Sequence, residues 1–557
     1  MAVATILGFG AVALPCAHAQ QVAPSRVTPE TLQPQAPAAP PQIALPEAVG
    51  LSPPPNADKL SVTLGGYDVK GTFPGFEQKT QEILAPLAAG RVTVARIYDI
   101  ANDLERAYAD AGYFLARVLI PPQQLGDGGT VRLTIIDGVI SRIDVNEIPE
   151  RQRDAVMLRL APLVGRPQLM LSEIERRLLL VSDIPGLQVK STLSPGEGTG
   201  TTLVVLQGTQ TYASGTFGVD NRLPSSLGTA SLNASASLNS VLGLGEQAYA
   251  SILTSPEMFP PRLRVLGGGV LLPLGDDGFT VNPEYTNSIA RPIAPAGVPA
   301  TQGDFQRFAV RGTYPMIRGR EENLSFQASI EYLTEDLVPI GFATKLYSDG
   351  YEAARLRAIY SFSPWKNTPV QLTGVLSQGL SGRDATAAIP LSRLGASPTF
   401  TAAYFEGNAS FPLPESLLLS LTGRAQSSFG SPLMLSEQFS LDGSNALSAF
   451  AQGTFSVDQG TTLRIELARP FALPIFGQSF LMSPYVFGAG GWGELVMPTA
   501  VERRDIVGGS FGVGIRSDTG IAGIAGASIG AEFARKISDI PAYRGGYRAN
   551  LSLNLRF

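Results

Sequence analysis

Two short stretches of the chain match G-x-S-x-G, the turn that presents the serine nucleophile in many hydrolases. They read GGSFG at Gly508–Gly512 and GASIG at Gly526–Gly530. That chemistry needs a strand-to-helix elbow for the serine and a histidine as its base. Both stretches instead lie inside runs of alternating apolar and polar residues, where glycine allows close backbone approach or curvature. The pattern therefore does not indicate a serine hydrolase.

The histidine and cysteine content limits the chemistry further. The chain has one Cys, Cys16, and one His, His18. Both follow an apolar stretch and lie beside small residues at Ala17 and Ala19, which predicts a signal peptide over residues 1–19. Its removal leaves neither a histidine base nor a Cys/His zinc site. We therefore predict that the protein is not an enzyme and has no catalytic residue, metal site or cofactor.

The composition bears on nucleic-acid binding and on how the chain could cross a membrane. The net charge of −5 and the pI near 5.3 argue against a nucleic-acid binder. Beyond the N-terminal stretch, no segment approaches the roughly eighteen apolar residues of a membrane helix. A membrane-spanning protein of this composition would cross with strands.

The C-terminal residues alternate strictly between two chemical classes. The apolar or aromatic set comprises Tyr547, Ala549, Leu551, Leu553, Leu555 and Phe557. A period of two places such a set on one face of a strand, and about ten residues suffice to cross a bilayer at a tilt. We expect this set to face lipid. We expect the intervening polar residues to face a lumen: Arg548, Asn550, Ser552 and Asn554.

The same alternation recurs throughout residues 209–557. In NLSFQASIEY, for example, Leu324, Phe326, Ala328, Ile330 and Tyr332 alternate with polar residues. Runs of this kind and their turns divide the region into about sixteen strands. Because a sheet in lipid cannot leave an edge unpaired, we predict a closed transmembrane barrel with a polar lumen.

Two small α+β modules precede the predicted barrel. Each follows the order strand, helix, helix, strand, strand, over residues 59–138 and 139–208. In the first module, a helical stripe predicts that Ile97, Leu104 and Tyr108 are buried against a three-stranded sheet. Residues 20–58 are rich in proline and predict an extended, poorly ordered linker. The predicted fold class is an all-β transmembrane barrel preceded by two small α+β domains.

This layout, together with several motifs, resembles the two-partner secretion transporters, the FhaC/ShlB/HecB haemolysin secretion and activation proteins. AGYFLARVLIPPQQLGDGGTVRLTIIDGVISRIDV resembles the end of that family's first polypeptide-transport-associated (POTRA) module. FGVDNRLPSSLGTASLNASASLNSVLGLGEQ resembles its first barrel hairpin. The resemblance covers nearly all of the chain after the predicted signal peptide.

The resemblance implies an outer-membrane transporter with its POTRA modules in the periplasm. These modules would bind an unfolded partner, a large haemolysin- or adhesin-like exoprotein, which leaves through the barrel. Outer-membrane lipid would surround the barrel, and the barrel-assembly machinery would read a C-terminal signal formed by Tyr547, Leu551, Leu553, Leu555 and Phe557. Two alternatives stay open: a barrel insertase of the same superfamily, and a passive diffusion porin.

In the family that the chain resembles, a long loop folds into the lumen and its tip arginine pairs with an aspartate on a facing strand. The corresponding loop residues here are Asp442, Gly443, Asn445, Ser448 and Phe450, and the strand residues are Phe487, Ala489 and Gly491. Ser448 and Ala489 replace the two charges, and their joint loss avoids a buried ion without its partner. We expect Phe450 and hydrogen bonds from Asp442, Ser444 and Asn445 to hold the loop in the lumen. We also expect Ser448 to lie within side-chain reach of Ala489.

Overall fold

The computed structural model describes residues 23–33, 42–44, 51–88, 90–257, 260–386, 388–475, 478–521 and 524–557. The predicted signal peptide lies outside these residues. Within them, no helix combines the length and the apolar character that crossing a membrane requires. The first strand, β1 (Gln42–Ala44), belongs to the sheet of the second α+β unit and is described with it.

The first α+β unit contains two helices and two small sheets. Its elements are β2 (Ser61–Thr63), β3 (Gly66–Lys70), α1 (Glu77–Leu84), β4 (Arg91–Thr93), α2 (Val94–Asp110), β5 (Arg117–Leu119) and β6 (Thr130–Ile136). Strands β3, β6 and β5 form a three-stranded sheet in that order, and β2 pairs with β4. Ile97, Leu104 and Tyr108 on α2 are buried in the core of this unit, which confirms their predicted burial.

Helix α2 has sequence signals at both ends. The Thr93 hydroxyl accepts a hydrogen bond from the Arg96 N–H at 3.2 Å and so satisfies one of the free donors of the first turn. The chain leaves the helix through Gly112, whose φ of +96° is readily adopted by glycine. These two residues set the length of the helix whose stripe fills the core.

The stretch KLSVTLGGYDVKG alternates like one continuous strand, but in the structure it is divided into β2 and β3. Gly65 lies at the break, where its N–H donates to the Gly129 carbonyl at 2.8 Å. A Cβ on Gly65 would lie only 2.5 Å from the Gly128 carbonyl oxygen. The close approach of a distant loop therefore interrupts the strand, and period-two alternation carries no information about such an approach.

The second α+β unit follows the predicted order of elements. They are β7 (Val139–Glu147), α3 (Arg153–Leu160), α4 (Leu171–Ser182), β8 (Leu187–Pro195) and β9 (Thr201–Gln210). The sheet has the order β1-β8-β9-β7, so that β1 adds to the outer edge of β8. Val156 and Leu160 of α3 and Ile174 and Leu178 of α4 belong to a core separate from that of the first unit.

The remaining strands form a closed antiparallel barrel. They are β10 (Ala213–Asp220), β11 (Ser231–Asn239), β12 (Gln247–Thr254), β13 (Leu263–Pro273), β14 (Thr280–Ala290), β15 (Thr301–Arg318), β16 (Glu322–Pro339), β17 (Tyr347–Phe362), β18 (Val370–Gly382), β19 (Thr401–Leu413), β20 (Leu417–Ser427), β23 (Gln459–Ala468), β24 (Phe471–Ile475), β25 (Gln478–Glu494), β26 (Asp505–Ile521), β27 (Ile524–Ser538) and β28 (Tyr547–Arg556). Both β23 and β24 pair with β25 and make one interrupted strand, so the wall has 16 strands, as predicted. Two short strands, β21 (Phe439–Ser440) and β22 (Ser456–Val457), pair with each other outside the wall.

The wall alternates as the sequence predicts. On β16, Phe326, Ile330 and Tyr332 are exposed, whereas Glu331 between them is buried. The Glu331 carboxylate accepts a hydrogen bond from Arg355 of β17 at 3.2 Å on the lumenal side. The outer face is therefore apolar and the inner face charged, the reverse of a soluble barrel.

Candidate functional site

The longest connection within the barrel is the candidate site. We define the lumenal loop as residues 428–458, which join β20 to β23 at the end of the barrel away from the α+β units. The loop folds back into the lumen and forms an apolar cluster with the wall. Its buried members from the loop include Phe439, Leu441, Leu447, Ala449, Phe450, Phe455 and Val457, and those from the wall include Tyr485 and Phe487.

The near part of the lumenal loop is fixed to β17 through Glu437. Arg355 donates to both carboxylate oxygens, at 2.6 and 2.9 Å. The Tyr351 hydroxyl donates to the same carboxylate at 2.6 Å. A two-pronged guanidinium contact of this kind combines charge with a defined geometry. Arg355 stands between the apolar residues Ala354 and Leu356, a pattern that fits the inner face, but no local signal in the sequence pairs it with Glu437.

The tip of the loop contacts strands on the other side of the barrel. Ser448 is 5% exposed, and its hydroxyl accepts a hydrogen bond from Arg464 of β23 at 2.9 Å. Its carbonyl accepts one from Asn550 of β28 at 2.8 Å. The next residue, Ala449, donates its N–H to the Ser510 hydroxyl of β26 at 3.1 Å. Ser510, the serine of one G-x-S-x-G stretch, therefore contacts the loop.

Ala489 lies between the two wall residues that contact the loop tip. In the strand register it faces Arg464 on one side and Ser510 on the other. The Arg464 guanidinium carbon lies 3.7 Å from the ring centroid of Phe487, so the ring stabilises the positive charge by a cation–π interaction. The structure thus brings Ser448 to the strands that flank Ala489.

Two glycines make room for the loop at the wall. A Cβ on Gly491 would lie 3.4 Å from the Leu447 Cδ1, and one on Gly508 would lie 2.8 Å from the same atom. Leu447 is fully buried in this space. Glycine at these positions allows close packing of the loop, which is the role expected for strand glycines.

Arg464 belongs to a charge network that the sequence did not reveal. It lies 2.7 Å from a carboxylate oxygen of Glu532 and 3.2 Å from one of Glu466. Arg516 in turn contacts Glu466 at 2.6 and 2.7 Å. Alternation in TTLRIELAR places Arg464 and Glu466 on the inner face, but only the closed barrel brings β23, β26 and β27 into contact around them.

Asp442 and Phe450 organise the loop itself. The buried Asp442 carboxylate accepts hydrogen bonds from the N–H groups of Gly453 and Phe455 at 2.9 and 2.8 Å. Phe450 is buried against Phe455, with ring centroids 4.7 Å apart. Gly443 has a φ of +122°, which the turn at the loop tip requires.

The expectation that Ser444 and Asn445 also hold the loop is wrong. Both are exposed, and the described part of the chain offers their side chains no hydrogen-bond partner. They stand at a turn closed by the Ala446 N–H and the Gly443 carbonyl at 3.2 Å. The turn directs this edge of the loop away from the wall, so the anchoring residues are Ser448 and Ala449 instead.

The prediction of an extended, poorly ordered linker is wrong for residues 23–33. We call these residues the lumenal N-terminal segment, because their polar groups are bound by the inner wall. Ser25 donates its N–H and hydroxyl to Glu335 of β16 at 3.1 and 2.9 Å. Arg307 and Arg311 of β15 donate to the carbonyls of Pro29 and Glu30 at 2.9 and 3.2 Å. Proline content indicates the lack of a long helix but does not exclude fixed tertiary contacts.

The second α+β unit contacts the adjacent turns of the barrel through five ion pairs. Four of them join Arg176 to Asp277, Arg177 to Asp276, Asp183 to Arg318 and Glu175 to Arg320, at 2.7–3.2 Å. The fifth joins Arg177 to Asp277 at 3.8 Å. Their side chains are partly exposed, so each pair contributes little stability by itself.

On α3, burial lowers the pKa of the Arg159 guanidinium from its ordinary value, and the charge of Asp183 opposes this shift.

The C-terminal strand closes the barrel by pairing with β10 and β27. Its outer face carries Tyr547 at 62%, Leu551 at 59% and Phe557 at 52% exposure, with Leu553 and Leu555 between them. Arg548 and Asn550 contact groups on the inner side. Phe557 exchanges backbone hydrogen bonds with Gly215 of β10. Exposure follows the predicted faces from Tyr547 to Leu551, whereas Leu553 and Leu555 are half-buried and Asn554 is exposed. A role in assembly stays a prediction.

Comparison with known proteins covers both the barrel and the first α+β unit. Residues 200–515 match the family haemolysin secretion/activation protein ShlB/FhaC/HecB, and residues 62–138 match the POTRA domain of ShlB type. The chain is 24% identical to the haemolysin transporter protein ShlB of Serratia marcescens over 67% of this chain and 66% of that one. It is 25% identical to the outer membrane transporter CdiB of Escherichia coli over 38% of this chain and 36% of that one. The match thus spans about a third of the length of that relative.

The solved structures agree on the fold. CdiB from Escherichia coli superposes with a TM-score of 0.70 at 19% identity, covering 96% of this chain and 94% of that chain. CdiB from Acinetobacter baumannii superposes with a TM-score of 0.63 at 15% identity, covering 91% and 95%. At these identities the likeness establishes the fold alone. With its barrel matched over residues 200–515, this chain belongs to the haemolysin secretion/activation protein family ShlB/FhaC/HecB, as an outer-membrane barrel with periplasmic POTRA domains.

Proposed function

We propose that this chain exports an unfolded partner protein through its barrel, after the periplasmic units bind an extended segment of that partner. The observation that carries the proposal concerns the lumenal loop. This loop crosses the lumen and is held there by noncovalent contacts alone. The lumenal loop is bound to β17 at Glu437 and to β28 at Ser448. In the order around the wall these are the eighth and sixteenth strands, which stand opposite each other.

The contacts that hold the loop can be released without rearranging the wall. They are side-chain hydrogen bonds, ion pairs and apolar packing, while the backbone ladder of the 16 strands is complete without them. The lumenal N-terminal segment occupies the side of the lumen formed by β14, β15 and β16. A passive diffusion porin would need an open lumen, so these two occupants argue against that alternative.

The proposal also accounts for the periplasmic units. Their sheets are small and open, and an extended chain can join such a sheet through main-chain hydrogen bonds that tolerate many sequences. This mode suits a partner that has not yet folded. Folding of the partner outside the cell would then favour export over return, and neither a cofactor nor a catalytic residue enters the proposal.

A disulfide between loop and wall tests whether the lumen is the path. We expect Ala449→Cys with Ser510→Cys to fix the loop tip, because the Ala449 N–H already reaches the Ser510 hydroxyl at 3.1 Å. The measurement is the amount of the partner exoprotein that appears outside the cell. Export should stop in the oxidised variant and return on reduction. Undiminished export with the loop fixed would contradict a path through the lumen.

A second candidate, assembly of membrane proteins, is favoured by the seam of the barrel. Strands β10 and β28 share five paired positions, against eight between β10 and β11. A short seam is the place where a wall could open sideways to lipid. A disulfide from Val219→Cys and Leu553→Cys, which face each other across the seam, separates the candidates. Export should survive this variant, whereas an insertase should lose its activity.

A further inference from the structure

The lipid-facing surface of the barrel is interrupted by a groove on strands β15 to β18. Gly312 of β15 faces Ala328 of β16 in the register, and Ala354 of β17 is the diagonal neighbour of Ala328. Ala328 lies between the exposed side chains of Phe326 and Ile330, so these small residues share the outer face. Around them the wall leaves a cavity of about 480 Å³, a volume typical of ligand sites. We define the outer groove by Gly312, Ala328 and Ala354.

The sides of the outer groove are apolar. Ile330 and Leu356 flank Ala328 and are 64% and 62% exposed. Val310 and Leu376 continue these sides on β15 and β18. An apolar cavity that no atoms fill forfeits dispersion contacts along its lining. Because this surface faces lipid, the occupant that restores those contacts is a hydrocarbon chain.

Aromatic side chains close the outer groove at the end nearer the α+β units. A Cβ on Gly312 would lie 3.3 Å from the Phe279 Cζ, so this ring already covers that position. Tyr314, two residues closer to the α+β units on β15, donates its hydroxyl to Asp277 in the adjacent turn. Asp277 in turn is paired with Arg176 of the second unit. An exposed tyrosine at this place marks the periplasmic boundary of the membrane, so the groove stops short of it.

Polar side chains lie at the opposite end of the outer groove. Gln378 of β18 is in register with Ala354, and its Oε1 accepts a hydrogen bond from the Thr401 hydroxyl of β19 at 2.7 Å. Two residues beyond Ala354 on β17, the exposed Glu352 carboxylate accepts a hydrogen bond from the Ser381 hydroxyl at 2.9 Å. Charged side chains on the outer face belong at the edge of the hydrocarbon region, where their cost is small. The groove therefore opens toward the extracellular leaflet.

We infer that the outer groove binds one acyl chain of a lipid A molecule from the extracellular leaflet. Lipid A, the lipid of that leaflet, carries amide- and ester-linked chains with hydroxyl groups beside the linkage. Such a linkage offers donors and acceptors to Gln378, whose side-chain amide can both donate and accept. The Glu352 carboxylate repels a phosphate group, so this end suits the linkage region rather than the phosphates. The inference goes beyond the proposed function, because it concerns the lipid-facing wall and not the export path.

Filling the outer groove tests the inference. In Ala328→Phe the new ring occupies the space between Ile330 and Leu356 and still faces lipid, so the barrel should fold normally. The full chain, purified in detergent, is mixed with lipid A, and native mass spectrometry measures the bound fraction. We expect the wild-type chain to retain one lipid A molecule. We expect Ala328→Phe to bind it at least about tenfold more weakly, because several methylene groups of the chain lose their burial.

A matched control adds the same ring elsewhere on the lipid-facing wall. Ala531 of β27 faces Ile515 and Leu551, which are both exposed, and Ala531→Phe should leave lipid A binding unchanged. Heat-modifiable migration on gels shows whether each variant is folded. Equal affinity of Ala328→Phe and the wild-type chain for lipid A would overturn the inference.

A substitution at the polar end separates lipid A from phospholipid. Gln378→Leu should lower the affinity for lipid A about fivefold, the effect of one lost hydrogen bond, and leave that for phosphatidylethanolamine unchanged. A leucine at this lipid-facing position should not disturb folding, so this variant decides the question even if Ala328→Phe does not fold. Unchanged affinity of Gln378→Leu for lipid A, or equal affinity of the wild-type chain for the two lipids, would overturn lipid A as the occupant.

Discussion

At the tip of the lumenal loop, the positively charged side chain is Arg464 of the wall strand β23, and the loop tip itself carries no arginine. Arg464 donates to the Ser448 hydroxyl while it lies between Glu532 and Glu466. Its side chain is only 4% exposed. A buried guanidinium with two carboxylates and an aromatic face has its charge compensated on several sides. The neutral loop tip therefore remains attached although Ser448 and Ala489 carry no charge.

Removal of the Arg464 charge should free the loop. In Arg464→Met, Glu532 and Glu466 lose a buried partner, which typically costs about 3–5 kcal/mol. We expect a lower midpoint of thermal unfolding and more frequent channel openings in planar bilayers. Arg516→Met is the matched control, because Arg516 shares Glu466 but its side chain is half exposed. Similar bilayer traces for the two variants would show that Arg464 does not hold the loop.

An arginine introduced at Ser448 and an aspartate introduced at Ala489 should have effects on export that depend on each other. Ser448→Arg places a second guanidinium beside Arg464 and should impair export. Ala489→Asp supplies a carboxylate that faces Arg464 across the β23–β25 ladder and should restore it. Export by both single variants and the double variant defines a cycle in which we expect a coupling of about 1–3 kcal/mol. Additive effects would argue against proximity of the two positions.

At the scale of elements, β28 has one face toward lipid and one toward the lumen. We expect Leu553→Arg to destabilise the barrel by about 2–4 kcal/mol, because a charge near mid-membrane loses its hydration. Ser552→Arg is the control on the neighbouring position, where the side chain enters the wet lumen. Unfolding of both variants in denaturant measures the difference. Equal destabilisation would mean that the faces are reversed.

Each of the two periplasmic units has a hydrophobic core of its own, distinct from the apolar clusters of the barrel. Each has its own buried cluster, and the second meets the barrel through polar pairs at the turns. We therefore expect a chain without residues 59–207 to insert into the outer membrane but to export no partner. Heat-modifiable migration on gels reports the folded barrel, and the culture medium reports export. Normal export by the shortened chain would refute the recognition role of these units.

At the scale of the whole molecule, the amino-terminal residues and the barrel act together. Val27 is buried with Leu263 and Val265 of β13 and with Leu223 and Leu227. Val27→Asp should expel the lumenal N-terminal segment, since an unpaired charge among these apolar side chains is costly. We expect an increased single-channel conductance. Thr28→Asp, one residue further along and half-buried, should leave the conductance near that of the wild-type chain.

Period-two and helical alternation in the sequence were sufficient to predict the 16-strand barrel, the order of elements in the second unit and the burial of Tyr108 on α2. They were also sufficient to place Leu551 outside and Asn550 inside. Such features depend on hydrogen bonds and side-chain directions within one element, which repeat at a fixed spacing along the chain. Motif resemblance added the family and the expectation of a loop in the lumen.

The partners of the site were decided by tertiary structure alone. Ser25 meets Glu335 across 310 positions of sequence, and Asn550 meets Ser448 across 102. The pairing of β1 with β8 joins two segments without any shared pattern. These contacts depend on barrel closure and on the return of a loop and a proline-rich segment into the lumen. Local periodicity determines the direction in which a side chain points, whereas the closed wall determines what that side chain meets.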